Sequence, residues 1–317
     1  MKKTFILLAL LFFTTTLFCQ TDWTKYEAIV DVDSKSPQEL SLLITDSFET
    51  PREKSEAIYY WVTHNIKYDF RELKKLKKKD DGRPQRVTKK ELLARKEKMI
   101  KETLKQRKGI CQDYSILFKT LCLHADIECE EVGGWLKTNS QKSSGIGGKH
   151  AWNVIRIDDE WEVVDPTAGS GYRNRKGKFE FAFNPNYFFT DKEIFKMSHF
   201  PREEKWQLSA SKVDKSMFKK FPFIGNGFIE LNGTKISPTE NKIYIKRGSS
   251  VDITFDSEKP ISKLVVANIK KGKLIECEVN RIENKNTITL STTEFRNGLY
   301  SFYNEEKLLF TYRISIK

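Results

Sequence analysis

Zinc-ligand spacing is missing from this chain: neither Cys-x-x-Cys nor a Cys/His cluster occurs, which argues against a zinc site. Cysteine is scarce, with five in 317 residues, and Cys111, Cys122, Cys129 and Cys277 are not spaced as a disulfide framework. Cys122 and Cys129 sit in an apolar setting and read as buried free thiols rather than a bridge. Histidine is scarcer still, so imidazole chemistry must come from His64, His124, His150 or His199. No apolar run after the first twenty residues reaches membrane-spanning length, and a soluble mature protein is expected. A phosphate loop is also absent, because Gly147-Gly148-Lys149 is followed by His150 where that motif needs Ser or Thr. Finally, the positive charge is not general. The chain carries +13, or +11 without Lys2 and Lys3, and residues 71–108 alone hold 17 basic against 6 acidic residues, again +11. A neutral protein with one basic insert is not a uniformly basic nucleic-acid binder, and no nucleic acid partner is expected.

Lys2 and Lys3 precede an apolar run from Phe5 to Phe18, and polar residues begin at Gln20. That pattern predicts a signal peptide over residues 1–19, cut between Cys19 and Gln20, and export to the periplasm or beyond. The alternative is a lipid anchor on Cys19, although Phe18 is bulky where such signals want a small side chain. The length suggests two domains.

Ser36-Pro37-Gln38-Glu39 and Thr50-Pro51-Arg52-Glu53 are helix starts, the second helix running to about Asn65. The insert opens with a turn at Asp80-Asp81-Gly82-Arg83-Pro84 and continues as a helix capped by Thr88 and Glu91. The stripe Leu92, Leu93, Lys96, Met99, Ile100, Leu104 predicts that this helix docks on the domain, its lysines solvated or facing an anionic surface. From Cys111, the residues Tyr114, Leu117, Phe118, Leu121 and Cys122 recur at helical spacing, with Gly109 just ahead. A strand over 127–136 broken at Gly133-Gly134, a glycine-rich loop over 138–148, and a hairpin of 150–157 with 160–165 follow. Residues 187–223 read as an irregular aromatic strap. Beyond Gly225, short alternating runs at 228–231, 242–246, 251–255, 263–269, 275–279, 287–290 and 309–316 predict a β-sandwich.

Three chemical residues fall into this frame. Cys111 opens a helix, where the dipole favours a thiolate. If the hairpin turn is centred between Asp158 and Asp159, residue 152 faces residue 165, and His150 becomes the diagonal neighbour of Asp165 on one face. Singly, Cys111 could be a small buried residue, His150 a core histidine and Asp165 a turn starter. Together they form a nucleophile, a base and an orienter. The backbone N–H of Cys111 is the first oxyanion candidate, and Trp61, Gln106 and Tyr114 are candidates for the second. His64, His124 and His199 read as structural, and Trp152, Asn153 and Trp161 as hairpin packing.

Gly109-Ile110-Cys111, His150-Ala151-Trp152-Asn153 and Trp161 to Thr167 resemble the transglutaminase-like superfamily. Tyr187-Phe188-Phe189, His199-Phe200-Pro201 and Lys205-Trp206-Gln207-Leu208 are similar to its kyphoscoliosis-peptidase branch. The resemblance covers residues 36–225. It implies an α+β, papain-like core over 20–225, with the basic insert at 71–108, and an all-β, Ig-like sandwich over 226–317. It further implies a Cys111, His150, Asp165 triad acting on protein or peptide amides through a thioester. Gln112 stands where the calcium-dependent crosslinking members have tryptophan, and no acidic ligand loop is evident, so no metal and no cofactor are expected. The competing expectation is an idle binding or cell-envelope scaffold.

Overall fold

The computed structural model describes residues 21–79, 88–137 and 147–317. The expected leader, the turn at 80–84 and the glycine-rich stretch over 138–146 lie outside the described residues.

Proline at the first helical position and a hydroxyl cap start α1 (Pro37–Thr45) and α2 (Pro51–Asn65). Thr50 and Glu53 complete a capping box, while Ser36 alone caps α1, each cap contributing about 1 kcal/mol. Next come β1 (Lys67–Tyr68), α3 (Phe70–Lys79), α4 (Lys89–Gln106) and β2 (Lys108–Gly109). β2 pairs in parallel with β1, so the basic insert is looped out between two adjacent strands. The stripe expected on α4 docks only in part: Leu104 is buried and Ile100 packs on the core, but Leu92 and Leu93 are about half exposed. Lys96 forms an ion pair with Glu131 at 2.8 Å, so a charge contact rather than apolar burial ties down that turn.

α5 (Cys111–His124) forms the centre of the core. Tyr114, Leu117, Phe118, Leu121 and Cys122 are wholly buried along one side, each large apolar side chain contributing roughly 1.5–3 kcal/mol. Against it packs an antiparallel sheet built from β3 (Cys129–Leu136), β4 (Gly148–Ile157) and β5 (Glu160–Val164). The short α6 (Pro166–Ser170) and a hairpin of β6 (Gly171–Arg173) and β7 (Phe179–Phe181) follow. The segment expected to be irregular then supplies α7 (Lys192–Ser198) and β8 (His199–Pro201). β8 adds to β3, giving the order β5-β4-β3-β8. Three residues are too few for a period-two pattern to show, which is why this strand is invisible in the sequence.

β3 runs unbroken through Gly133 and Gly134. Glycine at 134 admits a close approach: a Cβ there would lie 2.3 Å from the Phe200 carbonyl oxygen and 2.5 Å from the Trp152 ring. The β4–β5 hairpin turns on Asp158 and Asp159, both at positive φ, as a two-residue turn requires. Ile157 pairs with Glu160 and Asn153 with Val164, which is the register counted from the sequence.

After α8 (Lys215–Lys220) and β9 (Phe223–Ile224), the strand expected over 228–231 is instead α9 (Asn226–Glu230). Phe228, Ile229 and Leu231 fit one helical turn as well as they fit alternation, and docking on the last strand decides for the helix. Nine strands follow: β10 (Thr234–Ser237), β11 (Lys242–Ile245), β12 (Ser250–Asp256), β13 (Leu264–Asn268), β14 (Leu274–Cys277), β15 (Asn280–Ile282), β16 (Lys285–Ser291), β17 (Gly298–Asn304) and β18 (Lys307–Ile316). They form sheets β10-β12-β16-β15 and β11-β18-β17-β13-β14, with β9 added to β18. The sheets meet through rings such as Phe255 and Phe310, 5.6 Å apart, as a sandwich. One apolar core continues from α2 and α5 through Phe228 into it. Among the described residues, no helix is long and apolar enough to cross a membrane.

Candidate active site

The helix start at Cys111 is held by its neighbours. Ile110 donates its N–H to the Asp113 carboxylate at 2.7 Å, and glycine at 109 leaves room for that side chain. Cys111 is thus the first residue of α5, where amides point outward without intrahelical partners. The helix is clamped to β4 by two bonds: Ser115 Oγ donates to the Trp152 carbonyl at 2.9 Å and Asn153 Nδ2 to the Ser115 carbonyl at 3.0 Å. This clamp sets nucleophile against base.

His150 Nε2 lies 2.7 Å from Asp165 Oδ2, which leaves Nδ1 to face the Cys111 thiol. Asp165 is wholly buried and caps α6: its Oδ1 accepts the N–H groups of Thr167 and Ala168, each at 3.0 Å. Burial opposes ionisation of Asp165, but the charge and hydrogen bond of His150, with a further bond from His199, hold its carboxyl well below the usual range. His150 is pushed upward: burial would lower it, and Asp165 more than compensates. Burial likewise acts to raise the Cys111 thiol, yet the bond and charge from His150, helped by the Ala151 N–H, bring it below its ordinary value. The three residues therefore form a chain that favours a thiolate beside an imidazolium.

The three side-chain oxyanion candidates spend their donors elsewhere. Trp61 Nε1 donates to the Val32 carbonyl at 2.9 Å inside the core, and Gln106 bonds Glu102 at 2.6 Å on an exposed helix end. The Tyr114 hydroxyl donates to the Ile66 carbonyl. Helical spacing had no means of showing which way these groups turn. Tyr68, read from the sequence only as part of the extended run that follows the second helix, lies beside the nucleophile. The β1–β2 pairing sets it opposite Gly109, two residues before the thiol, and burial, with the charge and hydrogen bond of Cys111 beside it, pushes its phenol above the ordinary value.

His199, read from the sequence as structural, lies against the same carboxylate: its Nε2 is 3.1 Å from the Asp165 Oδ2 that binds His150. Strand β8 brings it there, and no spacing in the sequence could. His64 bonds the Tyr60 carbonyl at 2.7 Å and stays outside the cluster. His150, Asp165 and His199 are also, among the described residues, the group that could offer a metal three ligand atoms, within 4.8 Å of one another. Both nitrogens, however, are committed to the carboxylate at hydrogen-bond distances that suit shared protons.

A thiol at a helix N-terminus, an imidazole on a sheet facing it and a carboxylate behind the imidazole define a papain-like core. Residues 38–166 match the family model of the transglutaminase-like superfamily, and this part of the chain belongs to that superfamily. The kyphoscoliosis peptidase of Mus musculus is 28% identical over 228 residues, covering 69% of this chain and 31% of its own length. That of Homo sapiens is 28% identical over 244 residues, covering 73% and 33%. The Lim and transglutaminase domain protein ltd-1 of Caenorhabditis elegans is 25% identical over 158 residues, covering 45% and 22%. The chain spans about a third of the length of the two peptidases.

Proposed function

We propose that this protein is an exported cysteine-dependent acyl-transfer enzyme acting on protein or peptide amides. The reading rests on one observation, the Cys111–His150–Asp165 chain with its depressed thiol and elevated imidazole. In the mechanism, Cys111 Sγ attacks the carboxamide carbon as thiolate while His150 holds the proton at Nδ1. The carbonyl oxygen becomes an oxyanion that receives the Cys111 N–H and the Tyr68 O–H. His150 then protonates the departing amine, the C–N bond breaks and a thioester remains on Cys111. Water or a second amine, deprotonated by His150, attacks the thioester and releases the thiolate. Asp165 holds the ring and stabilises its cationic form throughout.

The basic insert is rooted at β1 and β2 beside the nucleophile, and we read it as the part that meets an anionic surface or acidic substrate. Residues 20–225 are the catalytic unit in this reading, and the Ig-like sandwich over 226–317 positions the substrate.

The test incubates protein substrates with a labelled primary amine, using Cys111→Ala as control. Amine incorporation means transamidation, new N-termini mean proteolysis, and ammonia release alone means deamidation. Identical traces from wild type and Cys111→Ala across these assays would overturn the enzymatic reading in favour of an idle scaffold.

A further inference from the structure

We propose that His199 is a positioning residue of the same site: it shares the Asp165 carboxylate with His150 and so sets the strength of the thiolate–imidazolium pair. The inference rests on the acyl-transfer reading above.

The geometry carries it. Asp165 Oδ2 accepts from His150 Nε2 at 2.7 Å and from His199 Nε2 at 3.1 Å. Its other oxygen is taken by the two α6 amides, so every bond of the carboxylate is committed. His199 is wholly enclosed: its ring stacks on Phe195 at 3.8 Å with planes 4° apart, and Trp152 meets it edge-on at 5.2 Å. Such a slot fixes the ring plane and leaves only the nitrogens for polar contacts. Ser198 Oγ lies 2.7 Å from Nδ1 and 3.2 Å from the Phe195 carbonyl, to which it donates; an ionised carboxylate can only accept, so the Nε2 that faces Asp165 carries the proton of that bond. Burial keeps this imidazole on the neutral side, so it donates a hydrogen bond without adding a second positive charge.

The surroundings do not supply a competing charge. Cys111 and Tyr68 lie on the far side of His150, and the phenols of Tyr59, Tyr114 and Tyr187 face Asp165. Lys192 and Lys196 line the small cavity beside His199, but they pair with Glu162 and Glu193.

The sign of the effect follows. The Asp165 charge raises both Cys111 and His150, and the His199 N–H tempers that charge. Without His199, Oδ2 bonds His150 alone and faces the thiol less neutralised. Both titrations then move to higher pH.

The experiment measures the rate of Cys111 alkylation by iodoacetamide against pH in folded full-length protein, which needs no substrate. Wild type should show an acid step from thiolate formation and an alkaline step from His150. In His199→Leu both steps should rise by about half to one pH unit. His199→Gln, whose amide can still donate to Oδ2, should restore the wild-type profile. His199→Asn, polar but too short to reach, serves where leucine prevents folding and should behave like it. Unshifted steps in a folded Leu or Asn variant would overturn the positioning role while leaving acyl transfer intact. A wild-type profile with one step at the ordinary thiol value would remove the ion pair, and with it both readings.

Discussion

Tyr68 pairs with Gly109 across a two-residue parallel ladder, and this alone brings a phenol to the nucleophile from the far side of the basic insert. If that phenol receives the oxyanion, Tyr68→Phe should lower kcat by about 10- to 100-fold with little change in KM, the mark of an interaction made in the transition state. Thiol labelling should persist. Gln106→Ala, on the exposed end of α4, should leave kcat unchanged. Steady-state kinetics on a peptide amide decide between them.

Thiol selectivity follows from burial and partners. Burial raises the Cys122 thiol well above its ordinary value, and its neighbour Cys129 adds to this, whereas Cys111 is depressed. A group with a lower pKa reaches its thiolate at lower pH. Iodoacetamide at neutral pH should therefore modify Cys111 first and leave Cys122 untouched until the chain unfolds, as peptide mass mapping would show. In Asp165→Asn the cap on α6 survives but the charge that holds His150 up is lost. Its alkaline step, held well above the ordinary imidazole value in the wild type, should fall toward the ordinary 6.5.

Gly134 and Gly133 make a matched pair for stability. A Cβ at Gly134 meets the Phe200 backbone and the Trp152 ring, while one at Gly133 meets open space. Gly134→Ala should cost about 1–3 kcal/mol in chemical denaturation, as overpacked sites do. Gly133→Ala should be neutral or slightly stabilising, because it only reduces the freedom of the unfolded chain.

Local chemistry was legible wherever one short segment decides the outcome. The caps at Ser36, Thr50 and Thr88, the buried face of α5 and the Asp158-Asp159 turn all follow from residues within a turn or two of one another. The turn fixes the register, and the register places His150 beside Asp165. Expectation failed where a segment was short or two patterns fitted it equally, as at β8 and α9.

The sequence by itself determined that a thiol opens a helix and that an imidazole and a carboxylate share a hairpin face, because both are consequences of period and count. Only the tertiary structure decided what surrounds them. Tyr68 arrives through a parallel pairing across the whole insert, and His199 through a strand added to β3 from a later segment. Such contacts join residues distant along the chain, and no periodicity within either segment encodes the other.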